Sequence, residues 1–395
     1  MSDAAVANES KFDINSFWSI VAVVFMPVIG GCMFIVQPGF VQGLVEYAGF
    51  TEKEAGYLVS IEMTGFALIT VVLIFISQRI NWRLFLGCAM AVTLLGNAVS
   101  AMVDNLTLYA TIRFLVGLAT GGIVSLGFTS IGLTAKADRN FGFAIMASMI
   151  YGAIVLSLIP IIFDSVGFNG LLFLFAGLAG IGLLLVTHLP HSGDEHGEVE
   201  ADAVDLPMNY KVIAVIAMLC YFLAQGAVWA FIFLFGTNGG LSEQSVANGL
   251  TLSQFTGIAG AFAAVVIGAR FTRLPPLAVG VASAVIPLLM FIYSPMTGTV
   301  YLVAVLIYNF GFNLTHPYLL ATMAAFDRQG RVVIYAVSAQ TIGLAVGPAV
   351  GAMLIGDSGY ANLQWFSVIF FLLCLVIIAP AVLAQSRMLK QAKAA

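Results

Sequence analysis

The chain has 395 residues, of which 61% are hydrophobic and 9% are charged, with a formal net charge of −4. Soluble domains carry about 25% charged residues, so composition excludes a compact water-soluble fold. No basic face or aromatic-basic patch is present, which excludes a nucleic-acid-binding protein as well.

The apolar residues come in blocks of about 20, enough to cross a ~30 Å hydrocarbon core. None alternates apolar and polar residues as the strands of a membrane barrel would. The blocks predict an all-α polytopic membrane protein with twelve spans. They run near 18–41, 56–77, 83–103, 107–131, 141–163, 169–188, 211–236, 247–268, 275–294, 300–324, 332–355 and 362–385. The opening "MSDAAVANES" lacks a basic n-region and a small-residue cleavage site, so the first span is expected to stay in the protein. Thirteen of the fifteen Lys and Arg fall on one side of the alternating loops, Lys53 falls on the other, and Arg113 is within a span. That skew predicts both termini in the cytoplasm, with the chain in a bacterial cytoplasmic membrane.

Along the chain, span 1 carries Gln37, with Met33 one turn earlier. Span 2 carries Glu62, and span 4 carries Arg113 within "YATIRFLVG", with Gly117 four residues on. A charge at mid-bilayer costs roughly 2.5–3.5 kcal/mol, so each invites a partner. Both lie six residues from the predicted outer ends of their spans, Gly56 and Thr107, or ~9 Å deep at ~1.5 Å per residue. Equal depth on two helices of one half makes an ion pair possible. Arginine keeps its proton, so Glu62 is the titrating member and a candidate proton site. Arg113 holds Glu62, a substrate carboxylate, or each in turn.

Between spans 6 and 7, "PHSGDEHGEVEADAVDLPMN" (190–209) holds six acids and no Lys or Arg, which predicts a solvated linker between halves 1–189 and 210–395. His188, His191 and His196 lack a fixed coordination geometry, and Cys32, Cys88, Cys220 and Cys374 lie apart within spans as small apolar residues. No metal and no cofactor is expected.

On span 7, Tyr221, Gln225 and Trp229 recur every four residues, and on span 10 Asn309, Asn313 and His316 share one face. Such stripes either bond across helices as packing or line a small-ligand site. Pro317 follows His316, which also suits a histidine satisfying loosened backbone. Span 11 contains "GLAVGPAVG", with Gly343, Gly347, Pro348 and Gly351. Small residues four apart allow close helix approach, and the proline allows a bend.

The halves echo each other. Asp138–Arg139 before span 5 matches Asp327–Arg328 before span 11 at an offset of 189, Arg79 matches Arg270 at 191, and Gln37 matches Gln225 at 188. Twelve spans split six-plus-six by a cytoplasmic linker resemble the major facilitator superfamily. "RFLVG" (Arg113, Gly117) is similar to its span-4 arginine–glycine motif. "SQRINWR" resembles its Asp-Arg loop, with Arg79 and Arg83 kept but Gln78 and Asn81 where the family usually has Asp and Gly. A glycine-proline motif similar to that of span 11 marks the family's drug–proton antiporters, where it lies on span 5.

The resemblance implies two pseudo-symmetric six-helix bundles rocking around a midplane site, with spans 1, 4, 7 and 10 bordering a central cavity. Gln37, Arg113, Tyr221, Gln225, Trp229, Asn309, Asn313 and His316 would line it. Asp138–Arg139 and Asp327–Arg328 would cap span ends or lock the halves together. The expected function is proton-coupled transport of a small amphipathic organic solute, such as a carboxylate, by a monomeric carrier. The alternatives are a proton-coupled exporter of lipophilic compounds, sodium coupling, and a membrane receptor or scaffold without transport. No nucleotide-driven pump motif is present, and no enzyme is expected.

Overall fold

A computed structural model describes residues 12–192, 205–267, 273–327, 331–356 and 359–394. Of the linker expected at 190–209, residues 193–204 lie outside the described residues.

Twelve of the helices are long and apolar enough to cross a membrane. The first span is divided into α1 (Phe17–Ile35) and α2 (Gln37–Glu46). The other eleven spans of the sequence reading are α3 (Glu52–Ile76), α4 (Trp82–Ser100), α5 (Leu106–Gly132), α6 (Ala137–Val166) and α7 (Phe168–Leu185) in the N-terminal half. The C-terminal half supplies α8 (Met208–Asn238), α9 (Glu243–Ile267), α10 (Leu274–Tyr293), α11 (Gly298–Ala324), α12 (Arg331–Leu354) and α13 (Ala361–Ala394). Twelve spans return both termini to one end of the bundle, the terminal face. The connections after α2, α4, α6, α8, α10 and α12 form the opposite, far face.

Local chemistry sets the helix ends. Thr51 caps α3 with a full capping box, its hydroxyl accepting from the Glu54 N–H while the Glu54 carboxylate accepts from the Thr51 N–H. Asn81, Asn105 and Thr297 cap α4, α5 and α11 through their side-chain oxygens. Asn81, the departure from the Gly of the family loop, therefore has a local structural use. The single span expected over 18–41 breaks at Val36 (φ −107°, ψ 20°) because Pro38 has no N–H for the Phe34 carbonyl four residues back. Trp229 of α8 donates its indole N–H to that carbonyl at 3.0 Å.

The halves meet through α3 against α12, α6 against α9 and α2 against α8. Gly56 of α3 packs against Ala352, Phe231 and the Pro348 carbonyl, and the Ser60 hydroxyl donates to the Ala345 carbonyl. Eight hydrogen bonds between described residues cross from one half to the other. All eight lie in the half of the molecule next to the far face. The apolar cores follow the same division. One core is continuous through both halves and includes Phe40, Val59, Phe231 and Phe371. A second, around Trp82, Leu86, Met90 and Ile123 near the terminal face, is built from the N-terminal half alone. The bundle is thus sealed at the far face.

Candidate functional site

Two arrangements of polar side chains stand out, an ion pair inside the N-terminal half and a cavity between the halves. Arg113 of α5 donates from Nε and Nη2 to the two carboxylate oxygens of Glu62 on α3, at 2.9 and 2.8 Å. Its Nη1 donates to Asn97 Oδ1 on α4 at 2.9 Å, and the guanidinium carbon lies 5.3 Å from the Phe40 ring centre. Asn97 is oriented in turn by its amide N–H, which donates to the Thr93 carbonyl. Both charged side chains are 1% exposed. The pair is bidentate, as the planar guanidinium fork favours, and lies among α3, α4 and α5.

Glycines make this approach close. A Cβ on Gly117 would lie 1.9 Å from the Glu62 carbonyl oxygen, one on Gly65 2.3 Å from that of Phe114, and one on Gly121 2.5 Å from that of Phe66. The α3–α5 crossing therefore presses backbone on backbone along three turns and brings residues 62 and 113 within reach. The sequence reading put both groups six residues from their helix starts, but α3 begins four residues earlier, at Glu52, because of its capping box. The helix crossing, not matched register from the ends, aligns the pair.

The second arrangement is a cavity of about 90 Å³ walled by both halves. Phe34, Ile35, Ser148 and Met149 face Gln225, Trp229, Gln254, Asn309, Phe312 and Asn313 across it. Its polar groups are held by neighbours. Gln225 Oε1 accepts from the Tyr308 hydroxyl at 2.6 Å, Asn309 Nδ2 donates to the Ser253 carbonyl at 3.0 Å, and Asn313 Nδ2 donates to Asn309 Oδ1 at 2.9 Å. Gln254 has no hydrogen bond to any described residue, and its amide lies against Gly152 of α6, where a Cβ would meet Oε1 at 3.2 Å. This leaves amide donors and acceptors directed at the space, aromatic rings beside them, and no charged side chain among the lining residues.

Gln225, Trp229, Asn309 and Asn313 thus share one cavity, whereas other residues expected to line it lie elsewhere. Arg113 is occupied by Glu62 and Asn97. Gln37 is 1% exposed, and Tyr221 is buried in edge contact with Phe222 and Phe371. His316 stacks on Phe312, meets Phe222 edge-on and pairs through Nε2 with Gln340 Oε1 at 3.2 Å. Gln254 and Ser148 escaped the sequence reading because spans 5 and 8 were not counted as cavity walls. The available signal was Gln254, an amide deep within span 8, nearly two turns beyond Asn248 near its start.

The span-11 glycines pack α12 on α8. A Cβ on Gly343 would meet Leu223 N at 2.8 Å, one on Gly347 Ala227 N at 2.7 Å, and one on Gly351 the Phe231 ring at 3.0 Å. At the terminal face, Asp327 accepts from Lys211 Nζ at 2.8 Å within its own half, so this bond does not join the halves. Arg139 lies over the Phe143 ring at 5.6 Å, and Arg79 is exposed. Arg328 and the side chain of Asp138 lie outside the described residues. Among the described residues, no group of three or more His, Cys, Asp or Glu could hold a metal ion.

The model of the Major Facilitator Superfamily matches residues 24–333, and the chain belongs to that family. No curated protein sequence matches it. Among solved structures it is similar to a D-xylose-proton symporter (TM-score 0.73, 15% identity, 91% of this chain and 97% of that one). It is also similar to the xylose transporter XylE from E. coli in a partially occluded inward-open conformation (0.72, 14%, 93% and 98%). The nucleoside transporter NupG is comparable (0.68, 14%, 93% and 98%). The chain is a membrane transporter, not an enzyme.

Proposed function

We propose that the protein is a secondary carrier moving a small, uncharged, ring-bearing organic solute by alternating access, with protons coupled through Glu62. The observation that carries this reading is the cavity between the halves, walled by Gln225, Gln254, Asn309, Asn313, Ser148 and three aromatic rings, with no charged lining side chain. The Gln254 amide and the unbonded ends of Gln225 and Asn313 offer donors and acceptors to hydroxyl or ring-nitrogen groups, and Trp229, Phe34 and Phe312 supply apolar faces. Xylose and nucleoside transporters among the similar structures support the same chemical class. The carboxylate substrate first expected for Arg113 is less well supported, since Glu62 and Asn97 already occupy that guanidinium.

Halves 1–189 and 210–395 would rock about the α3–α12 and α6–α9 contacts. The Lys/Arg skew supports a cytoplasmic terminal face, which makes the sealed far face the external one and this conformation inward-facing. Coupling rests on Glu62 as the titratable group of a buried cluster whose other charge is fixed.

The test is a thermal-shift screen, because a ligand of the folded state raises its melting temperature by mass action. Neutral sugars and nucleosides should stabilise the protein, and hits should accumulate in liposomes under an inward proton gradient. Stabilisation by carboxylates alone would return the substrate to Arg113, and stabilisation by lipophilic cations alone would favour a drug exporter. Gln254→Ala should weaken binding of the hit by about tenfold, one hydrogen bond of ~1–1.5 kcal/mol. Its melting temperature without ligand should stay unchanged, because the amide bonds no described residue. An unaltered dissociation constant would remove Gln254 from the site.

A further inference from the structure

Five of the eight hydrogen bonds between the halves gather around two glutamates that no part of the transport reading uses. Glu52 opens α3 and Glu243 opens α9. The Glu52 carboxylate accepts from the Tyr360 hydroxyl at 2.7 Å and from Asn238 Nδ2 at 3.3 Å, both in the C-terminal half. Asn238 Nδ2 also lies 2.6 Å from the Tyr360 hydroxyl, which closes a three-membered cluster. The Glu243 carboxylate accepts from Gln42 Nε2 at 2.9 Å and from the Tyr47 hydroxyl at 3.1 Å, both in the N-terminal half. Gln42 Oε1 accepts from the Thr237 hydroxyl at 3.3 Å.

Each half therefore offers one carboxylate to a phenol and a carboxamide of the other. The glutamate and one partner of each cluster occupy equivalent places in the repeat, while Tyr360 and Gln42 do not correspond. Glu52 and Glu243 are 191 residues apart, as are their preceding residues Thr51 and Ser242, and Tyr47 and Asn238. Thr51 bonds the N–H three residues on, and so does Ser242. Hydrogen bonds to a charged acceptor are worth more than neutral ones. Burial, and then the neighbouring Glu243 carboxylate, push the Tyr47 phenol up to about 12, so it stays a donor. Opening the far face has to break both clusters, since every one of these five bonds crosses the seam. The three remaining inter-half bonds are single side-chain-to-carbonyl contacts.

We propose that Glu52 and Glu243 form a twofold-related pair of latches that holds the far face shut and sets the resting population of the carrier. This rests on alternating access but not on the substrate or on the coupling ion. The latches tax any solute arriving at the far face, because apparent affinity falls with the fraction of carriers in the competent state.

The test uses spin labels at Lys53→Cys and Gln244→Cys, exposed positions beside each glutamate, with the exposed Cys88 replaced by Ser and the three buried thiols left in place. In detergent without substrate, the parent should show one short-distance population. Glu52→Ala/Glu243→Ala should add a longer one, raising the long-to-short ratio at least tenfold. Each single variant should give an intermediate ratio.

Tyr47→Phe/Tyr360→Phe removes only two hydroxyls and should shift the ratio in the same direction, which covers the case in which the double alanine variant fails to fold. Unchanged distances in the Phe pair, and in the alanine pair if it folds, would overturn the latch while leaving the carrier reading intact. An absent substrate or coupling ion affects neither measurement.

Discussion

Glu62→Gln should abolish accumulation driven by an imposed pH gradient while leaving exchange of substrate down its own gradient. The glutamine keeps the size of the side chain and one carbonyl acceptor for Arg113, but nothing at position 62 then titrates. Two effects have to be separated. Removing one partner of a buried ion pair costs about 3–5 kcal/mol through the uncompensated charge that remains, and here the guanidinium is 1% exposed. Asn97 Oδ1 and the Phe40 ring still hold the cation, so the melting temperature should fall without loss of the fold.

Glu62→Met/Arg113→Met should melt above Arg113→Met alone, because the double variant buries no unpaired charge. Liposome uptake with and without a pH gradient, alongside counterflow, reads the coupling directly. Uptake that still follows the pH gradient in Glu62→Gln would take Glu62 out of the coupling role. Arg113→Lys tests the geometry of the same pair, since an ammonium cannot bridge both carboxylate oxygens and Asn97 in one plane. It should lower the melting temperature while preserving the net charge.

Gly117→Val should be the most damaging single substitution in the N-terminal half. Its Cβ would lie 1.9 Å from the Glu62 carbonyl oxygen and 2.8 Å from the carbonyl carbon. These are backbone atoms that no rotamer change can move. The α3 and α5 helices would have to separate, and the ion pair is built across that crossing. Overpacking costs typically 1–3 kcal/mol, and backbone-on-backbone contact puts the expected loss at about 3 kcal/mol. Thermal unfolding of the purified protein checks it, with Gly177→Ala as the control. Nothing lies within 4 Å of a Cβ at Gly177, inside α7, so that change should stabilise by up to ~1 kcal/mol through helix propensity. A Gly117 variant as stable as the control would mean that the crossing adapts more readily than its packing implies.

Much of the architecture was legible in the sequence because a bilayer admits few solutions. Spans must be about 20 apolar residues long and must satisfy their backbone internally, so block lengths alone placed the twelve spans near the helices found, although the last helix runs nine residues past its predicted end, to Ala394. The break in the first span was written locally too, in Pro38, although its consequence was not. The Phe34 carbonyl, without its Pro38 donor, is bonded by Trp229, 195 residues away, a distance over which periodicity carries no information. The Glu62–Arg113 pair could be anticipated because isolated charges in hydrocarbon are few and costly.

Other assignments depended on which side of a helix meets which neighbour. Tyr221, Gln225 and Trp229 form one stripe in sequence, yet Gln225 and Trp229 line the cavity while Tyr221 packs on Phe371. A helix surrounded on every side by protein has no single outward face by which to rank its residues. Gln254 and Ser148 were missed for the converse reason, since their spans looked peripheral until α6 and α9 were seen to meet across the two halves.

By itself the sequence determined the solvent, the number and approximate length of the spans and the identity of the buried charges. Each of these follows from local composition and from the cost of placing polar groups in hydrocarbon. Only the tertiary structure decided which faces of the helices meet: that Arg113 is spent on Glu62 and Asn97, that an uncharged cavity lies between the halves, and that two glutamates at helix starts bond across the seam. Those outcomes rest on close glycine crossings and contacts between residues from 16 to 308 positions apart, where packing of the whole bundle, and not the pattern of any one segment, selects the partner.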